Sequence, residues 1–105
     1  MKLFTPYDDI TGDGSAHSLA TLLNIKSQPC AWFQITLVDN TSGSTIRVGD
    51  ETISATRGIP IGGTDGVLVT QFAPVNGQDR MINYDLKDVW LLIPNGDKVS
   101  VAYAV

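Results

Sequence analysis

Two stretches of strict period-two alternation set the limits on what this chain can become. In Phe33-Gln34-Ile35-Thr36-Leu37 the large apolar side chains fall on one side and the polar ones on the other. Near the opposite end Val99, Val101, Tyr103 and Val105 share a side, with Lys98 and Ser100 facing away. Successive side chains of an extended strand point to opposite faces, so this pattern specifies half-buried antiparallel strands. No longer window carries a helical apolar stripe; Ser18 to Asn24 has room for one short helix.

Turn residues punctuate the rest. Asn95-Gly96 separates Val89–Ile93 from Val99–Tyr103, which predicts a hairpin closed by a type I′ turn, since both residues tolerate positive φ. Asn76-Gly77 stands in the same way between Val67–Phe72 and Arg80–Tyr84. Gly49-Asp50 reads as a turn between Thr45–Val48 and a strand at Thr52–Ala55. Gly58-Ile59-Pro60-Ile61-Gly62-Gly63 is a strand stop and turn; it lacks the Lys-Ser/Thr ending and following helix of a phosphate loop. Eight or nine short segments in 105 residues, with no linker or low-complexity break, predict an all-β fold. The expected form is a single antiparallel β-sandwich or jelly-roll-like barrel over residues 15–105, with residues 1–14 as an N-terminal arm or first strand. A chain of this size buries about 65% of its surface, enough for one real core.

Charge and rare residues narrow the chemistry. A net charge of −4 and a pI near 4.5, with Arg47, Arg57 and Arg80 dispersed among acids, give no basic face for nucleic acid or an anionic membrane. No apolar run approaches the ~20 residues of a membrane span. The opening residues carry no apolar stretch of the secretory kind, so Sec-dependent export is not expected. One cysteine, Cys30, allows no internal disulfide, and in its Ala31-Trp32-Phe33 setting it reads as a small buried hydrophobe. One histidine, His17, allows no two-histidine metal motif.

The carboxylates mostly sit beside Gly or Asn, where short acids cap turns; Glu51 lies next to a tight turn rather than a cleft. Asp9-Ile10-Thr11-Gly12-Asp13-Gly14 begins like a calcium loop, but Ala20 falls where the loop's closing acid belongs; a looser calcium site and an ordinary Asp-Gly turn are both open. No catalytic residue, cofactor or metal ligand is therefore assigned, and the chain is expected not to be an enzyme. What remains is apolar surface. If Val89, Leu91 and Ile93 point inward, Trp90 and Leu92 point out; if Phe33, Ile35 and Leu37 point inward, Trp32 and Val38 point out. Both tryptophans are thus candidate interface anchors, with Phe4 and Tyr7 as a second pair; the competing account is that a loop or the N-terminal segment covers them.

Four stretches, Thr45-Ile46-Arg47-Val48-Gly49-Asp50, Thr52-Ile53-Ser54-Ala55-Thr56-Arg57-Gly58-Ile59-Pro60-Ile61, Asp85-Leu86-Lys87-Asp88-Val89-Trp90 and Gly96-Asp97-Lys98-Val99-Ser100-Val101, carry a further signal. Through them the chain, from about Ser15 to Val105, resembles a group of small tailed-bacteriophage virion proteins. Gly62-Gly63-Thr64-Asp65-Gly66 departs from the Pro-Gly-Glu turn of that group, and Asn76–Met81 reads as an insertion. The resemblance implies a β-rich capsid decoration (cement) protein, with the major capsid protein as partner, a homo-oligomer with a trimer favoured, and a place in the virion after assembly in the host cytoplasm. A tail, baseplate or fibre module of the same particle is the first alternative. A carbohydrate-binding module using Trp32, Trp90 or Tyr103 as stacking platforms is the second.

Overall fold

The computed structural model describes residues 3–4, 9–63, 69–72 and 84–105, with the backbone alone at 3–4 and 69–72. The longest ladder joins β5 (Trp32–Asp39) to β11 (Lys98–Ala104), the two segments of clearest alternation. β1 (Leu3–Phe4) and β2 (Ile10–Thr11) pair with the far edge of β11, and β8 (Val69–Phe72) pairs with β5, all antiparallel. A second sheet runs β3 (Ala16–Ser18), β10 (Trp90–Leu92), β6 (Ile46–Gly49), β7 (Ile59–Ile61). A two-stranded piece joins β4 (Pro29–Cys30) to β9 (Tyr84–Asp85). The protein is all-β with little helix, and no sheet closes into a barrel among the described residues.

Both larger sheets feed one buried cluster. Phe33, Ile35, Val99 and Val101 come from the first; Ile46, Val48, Ile61 and Leu91 come from the second. Val89, Leu91 and Ile93 are buried together, and Leu37 and Tyr103 pack at the margin of the core. Val105 departs from the alternation and is exposed: pairing ends at Ala104, whose carbonyl accepts the Ala31 N–H at 2.8 Å, and Val105 lies past that last rung. The short helix is real but one turn long, α1 (Leu19–Leu22). It stops because Asn24 takes φ 60° while its N–H and that of Ile25 return to the Thr21 and Ala20 carbonyls, the left-handed cap that Asn and Gly accept.

Two expected turns have a different role. Asn95-Gly96 is a turn, with the Asp97 N–H donating to the Pro94 carbonyl at 3.0 Å, but β10 and β11 belong to different sheets. Only Gly96 has positive φ (86°), whereas a type I′ turn needs it at both central residues. The segment is a crossing between sheets. Likewise Thr52–Ala55 forms no strand: the residues after β6 make a loop with one isolated Ser54–Arg57 bridge, and β6 pairs instead with β7. The Asn76-Gly77 turn lies outside the described residues.

At this crossing a carboxylate goes into the interior. Asp97 is 1% exposed, and its oxygens accept from the Asn40 amide (2.7 Å), the Ser42 hydroxyl (2.6 Å) and the Ser42 N–H (3.1 Å). Asn40 is itself fixed, donating to the Ser44 carbonyl at 2.8 Å and accepting the Gly63 N–H at 2.6 Å. The Asp97 carbonyl takes the Gly12 N–H at 2.8 Å. Gly12 tolerates nothing larger, because a Cβ there would strike the Ile93 and Pro94 carbonyls. One acid thus ties together the ends of β2, β5, β7 and β10 and the starts of β6 and β11, which belong to both sheets.

Removing that acceptor strands several inward-facing donors, and hydrogen bonds to a charged group contribute about 1.5–3 kcal/mol each. Asp97→Ala is expected to lower unfolding free energy by at least about 2 kcal/mol in urea titration. Asp97→Asn should also destabilise, because it turns an amide donor toward other donors. An unchanged midpoint for both variants would show that the clamp carries no stability.

Candidate interaction surface

The outward rows of the first sheet follow from register, since residues paired across a ladder share a face. Ala104 pairs with Trp32, Ala102 with Gln34 and Ser100 with Thr36. Gln34 and Thr36 are joined on that face by a side-chain hydrogen bond of 3.2 Å. Trp32 is half-buried at one end, and Val38, 49% exposed, stands at the other, where a register shift between Lys98 and Val99 pushes the strand outward. Gln34, Thr36, Ser100 and Ala102 in the middle of this face carry no charge, while Lys98, paired with Asp39, brings both signs to the Val38 end.

The other tryptophan has a different environment. Trp90 pairs with Ser18 on one side and Gly49 on the other, and it too is half-buried. Over the Gly49 position sits Ile53: its Cγ2 lies 2.7 Å from where a Gly49 Cβ would be. The loop that carries Ile53 is pinned by Arg47, whose Nε donates to the Ala55 carbonyl (3.3 Å) and Nη1 to the Gly58 carbonyl (3.0 Å). Arg47 lies across from Leu92, so the loop folds back over the outward face of the second sheet. The two tryptophans are therefore both on outward rows, but the chain's own loop roofs the surroundings of Trp90. They lie on different sheets. Phe4 is placed by its backbone opposite Tyr103, in the row of Phe33, which is the inward row; its side chain and all of Tyr7 lie outside the described residues.

The remaining candidates resolve into local structure. Asp13 accepts the Ser15 N–H at 2.9 Å and faces His17 Nε2 at 2.8 Å, beside a depression of about 10 Å³ over Leu22, Leu91 and Ile93, no larger than a single water. The turn hydrogen bond first, and then His17, hold the Asp13 carboxyl below its ordinary range. Asp39 and Asp50 use the same motif with Thr41 and Thr52, each taking both hydroxyl and N–H, and their carboxyls are lowered by those bonds. Asp85 accepts from the Gln28 and Lys87 N–H groups at 3.0 Å. Glu51 sits exposed in the loop after β6, and Asp9 is exposed just before β2. Among the described residues no three of His, Cys, Asp and Glu gather in one place. No described helix is long and apolar enough to cross a membrane.

Against this geometry, comparison with protein-family models, with curated proteins and with solved structures gives no match.

Cys30 lies in the core at 0% exposure, and burial, with the Asp85 carboxylate adding to it, pushes its thiol up to about 11. An unfolded thiol releases its proton near 9 while the folded one holds it to about 11, so the unfolded state loses protons first and stability falls with rising pH across that window. Iodoacetamide at about pH 8 should leave Cys30 unmodified until the chain is unfolded. Cys30→Ala should flatten the alkaline loss of stability between those two values. Rapid alkylation of the folded protein would contradict the buried placement.

Proposed function

We propose that this chain is a non-enzymatic structural component of a bacteriophage particle, a decoration protein that stabilises the head by binding the major capsid protein. The observation that carries the reading is the outward face of the first sheet, whose middle (Gln34, Thr36, Ser100 and Ala102) carries no charge, with Trp32 at one end and exposed Val38 beside Lys98 and Asp39 at the other. Interface centres are depleted of charge and enriched in aromatic residues, whereas an ordinary surface mixes both signs. The stretches that resemble small virion proteins, Thr45–Asp50 and Gly96–Val101 among them, supply strands to both sheets. Its two main sheets, drawing on one core, suit a sandwich, a form that offers broad flat faces in place of a cleft. Asp13, Asp39, Asp50 and Asp85 are committed to turns and Asp97 to the clamp, which fits a scaffold better than a reaction centre. In this reading the protein resides in the virion as a homo-oligomer and engages neither nucleic acid nor membrane.

Purified chain added to particles that lack it, followed by sedimentation and density reconstruction, tests the assignment. Density on the shell is the expected result; density confined to the tail would move it to a tail module, and no binding would end the particle reading. Trp32→Ala should stay folded while lowering shell occupancy at least tenfold. Trp90→Ala, under its loop, should cost more stability than Trp32→Ala, approaching the roughly 3–5 kcal/mol of a buried aromatic. Full decoration by Trp32→Ala particles would remove that face from the contact.

A further inference from the structure

The crossing from β10 to β11 contains an Asn-Gly pair, Asn95-Gly96, which is chemically labile as well as turn-forming. With no Cβ on the glycine, the backbone nitrogen after the asparagine can reach the asparagine side-chain carbon. Asn95 and Gly96 are both exposed, and a Cβ built on Gly96 would meet nothing within 4 Å, so water and space are at hand. The attacking nitrogen, however, is engaged. The Gly96 N–H donates to the Gly12 carbonyl at 3.1 Å, and the Gly12 N–H returns to the Asp97 carbonyl at 2.8 Å. These bonds lie next to the Thr11–Lys98 rung of the β2–β11 ladder. They make the Gly96 proton harder to lose, and they fix the peptide plane that must rotate for attack. Gly12 is itself buried, and the 10–14 segment that carries it is anchored by Ile10 in the core and by the Gly14 N–H on the Ile93 carbonyl at 2.9 Å.

We propose that Asn95 is a self-modification site of this chain, held shut by the docked 10–14 segment and opened when that segment lifts. Once released, the Gly96 nitrogen gives up its proton and bonds to the Asn95 side-chain carbon. The bond from that carbon to the side-chain amide nitrogen breaks, ammonia leaves, and a five-membered imide remains. Water then opens the ring at either carbonyl, giving aspartate, or isoaspartate with the backbone routed through the former side chain. Either product adds a negative charge close to the buried Asp97 carboxylate, in a chain that already carries −4. Isoaspartate also lengthens the backbone by one carbon inside the turn that positions the clamp. The change is one-way, because a returning segment no longer meets the partner it left. It belongs to the free chain and does not depend on the particle reading.

The folded chain, held for days at mildly alkaline pH, is compared with the chain unfolded in guanidinium chloride. Trypsin releases Asn95 within Asp88–Lys98, apart from Asn76-Gly77, so mass spectrometry reads the amide-to-acid increment at each pair separately. Asn95 should convert at least about thirtyfold more slowly in the folded chain. Ile10→Ala, which removes the core anchor of β2, should raise the folded-state rate at least about fivefold while circular dichroism shows a folded chain. Gly12→Ala, whose Cβ would strike the Ile93 and Pro94 carbonyls, should act in the same direction, so the result stands even if one of the two fails to fold. Val48→Ala, a core truncation in the second sheet, should change the rate by less than about twofold. The modified fraction, separated by anion exchange, should unfold at lower urea than the parent. Equal rates in the folded and unfolded chain, or wild-type rates in both 10–14 variants, would overturn the gate. Conversion of Val48→Ala as fast as that of Ile10→Ala would do the same, since global unfolding would then be the opening event. An unchanged urea midpoint in the modified fraction would overturn its one-way character.

Discussion

The register of β5 against β11 is the constraint on which the rest of the molecule depends. Seven pairs run from Lys98–Asp39 to Ala104–Trp32, and with a side-chain period of two, one choice of register decides both faces. It sends Phe33, Ile35, Val99 and Val101 inward, and it lines up Trp32, Gln34, Thr36, Ser100 and Ala102 outward. A slip of one residue would put Gln34 and Thr36 into the core. Burying such polar groups without partners costs several kcal/mol each, so the register is strongly held. Core and candidate surface are two consequences of one ladder.

The second sheet is held to the first at the Asp97 end. The chain passes from β10 to β11 through the Pro94–Asp97 turn, and the Asp97 carboxylate gathers donors from the β5–β6 loop while Gly12 and Gly63 join through backbone N–H groups. Low local dielectric strengthens such a network and makes each missing partner costly. The clamp therefore specifies where the loops sit as well as contributing stability. At the opposite end Asp85 fixes Gln28 and Lys87, and Tyr84 meets Phe33 edge-on with ring centroids 5.2 Å apart, a favoured aromatic geometry.

Alternation made the strands and their faces legible: Phe33, Ile35, Val99, Val101, Leu91 and Ile93 all lie where period two puts them. The all-β character was legible for the same reason. What was not legible came from contacts between residues far apart in the chain. Asn95-Gly96 carries the local signature of a hairpin, and only tertiary pairing shows that its two strands enter different sheets. Asp97 sits in an Asn-Gly-Asp-Lys string that reads as an exposed turn; its donors Asn40 and Ser42 are 57 and 55 residues away. The roof near Trp90 comes from Ile53, in a segment that reads as a strand but loops back over Gly49. The tryptophans were rightly placed on outward rows, yet nothing local distinguishes the roofed one from the open one.

The register is directly observable in solution. Isotope-edited nuclear Overhauser spectra of the folded chain should connect backbone protons of Ile35 with Val101, Thr36 with Ser100 and Phe33 with Tyr103. That pattern would fix the polar row Gln34–Thr36 on the outside and the apolar row on the inside. Cross-strand contacts displaced by one residue, with Thr36 opposite Val101, would contradict the account of both the core and the docking face.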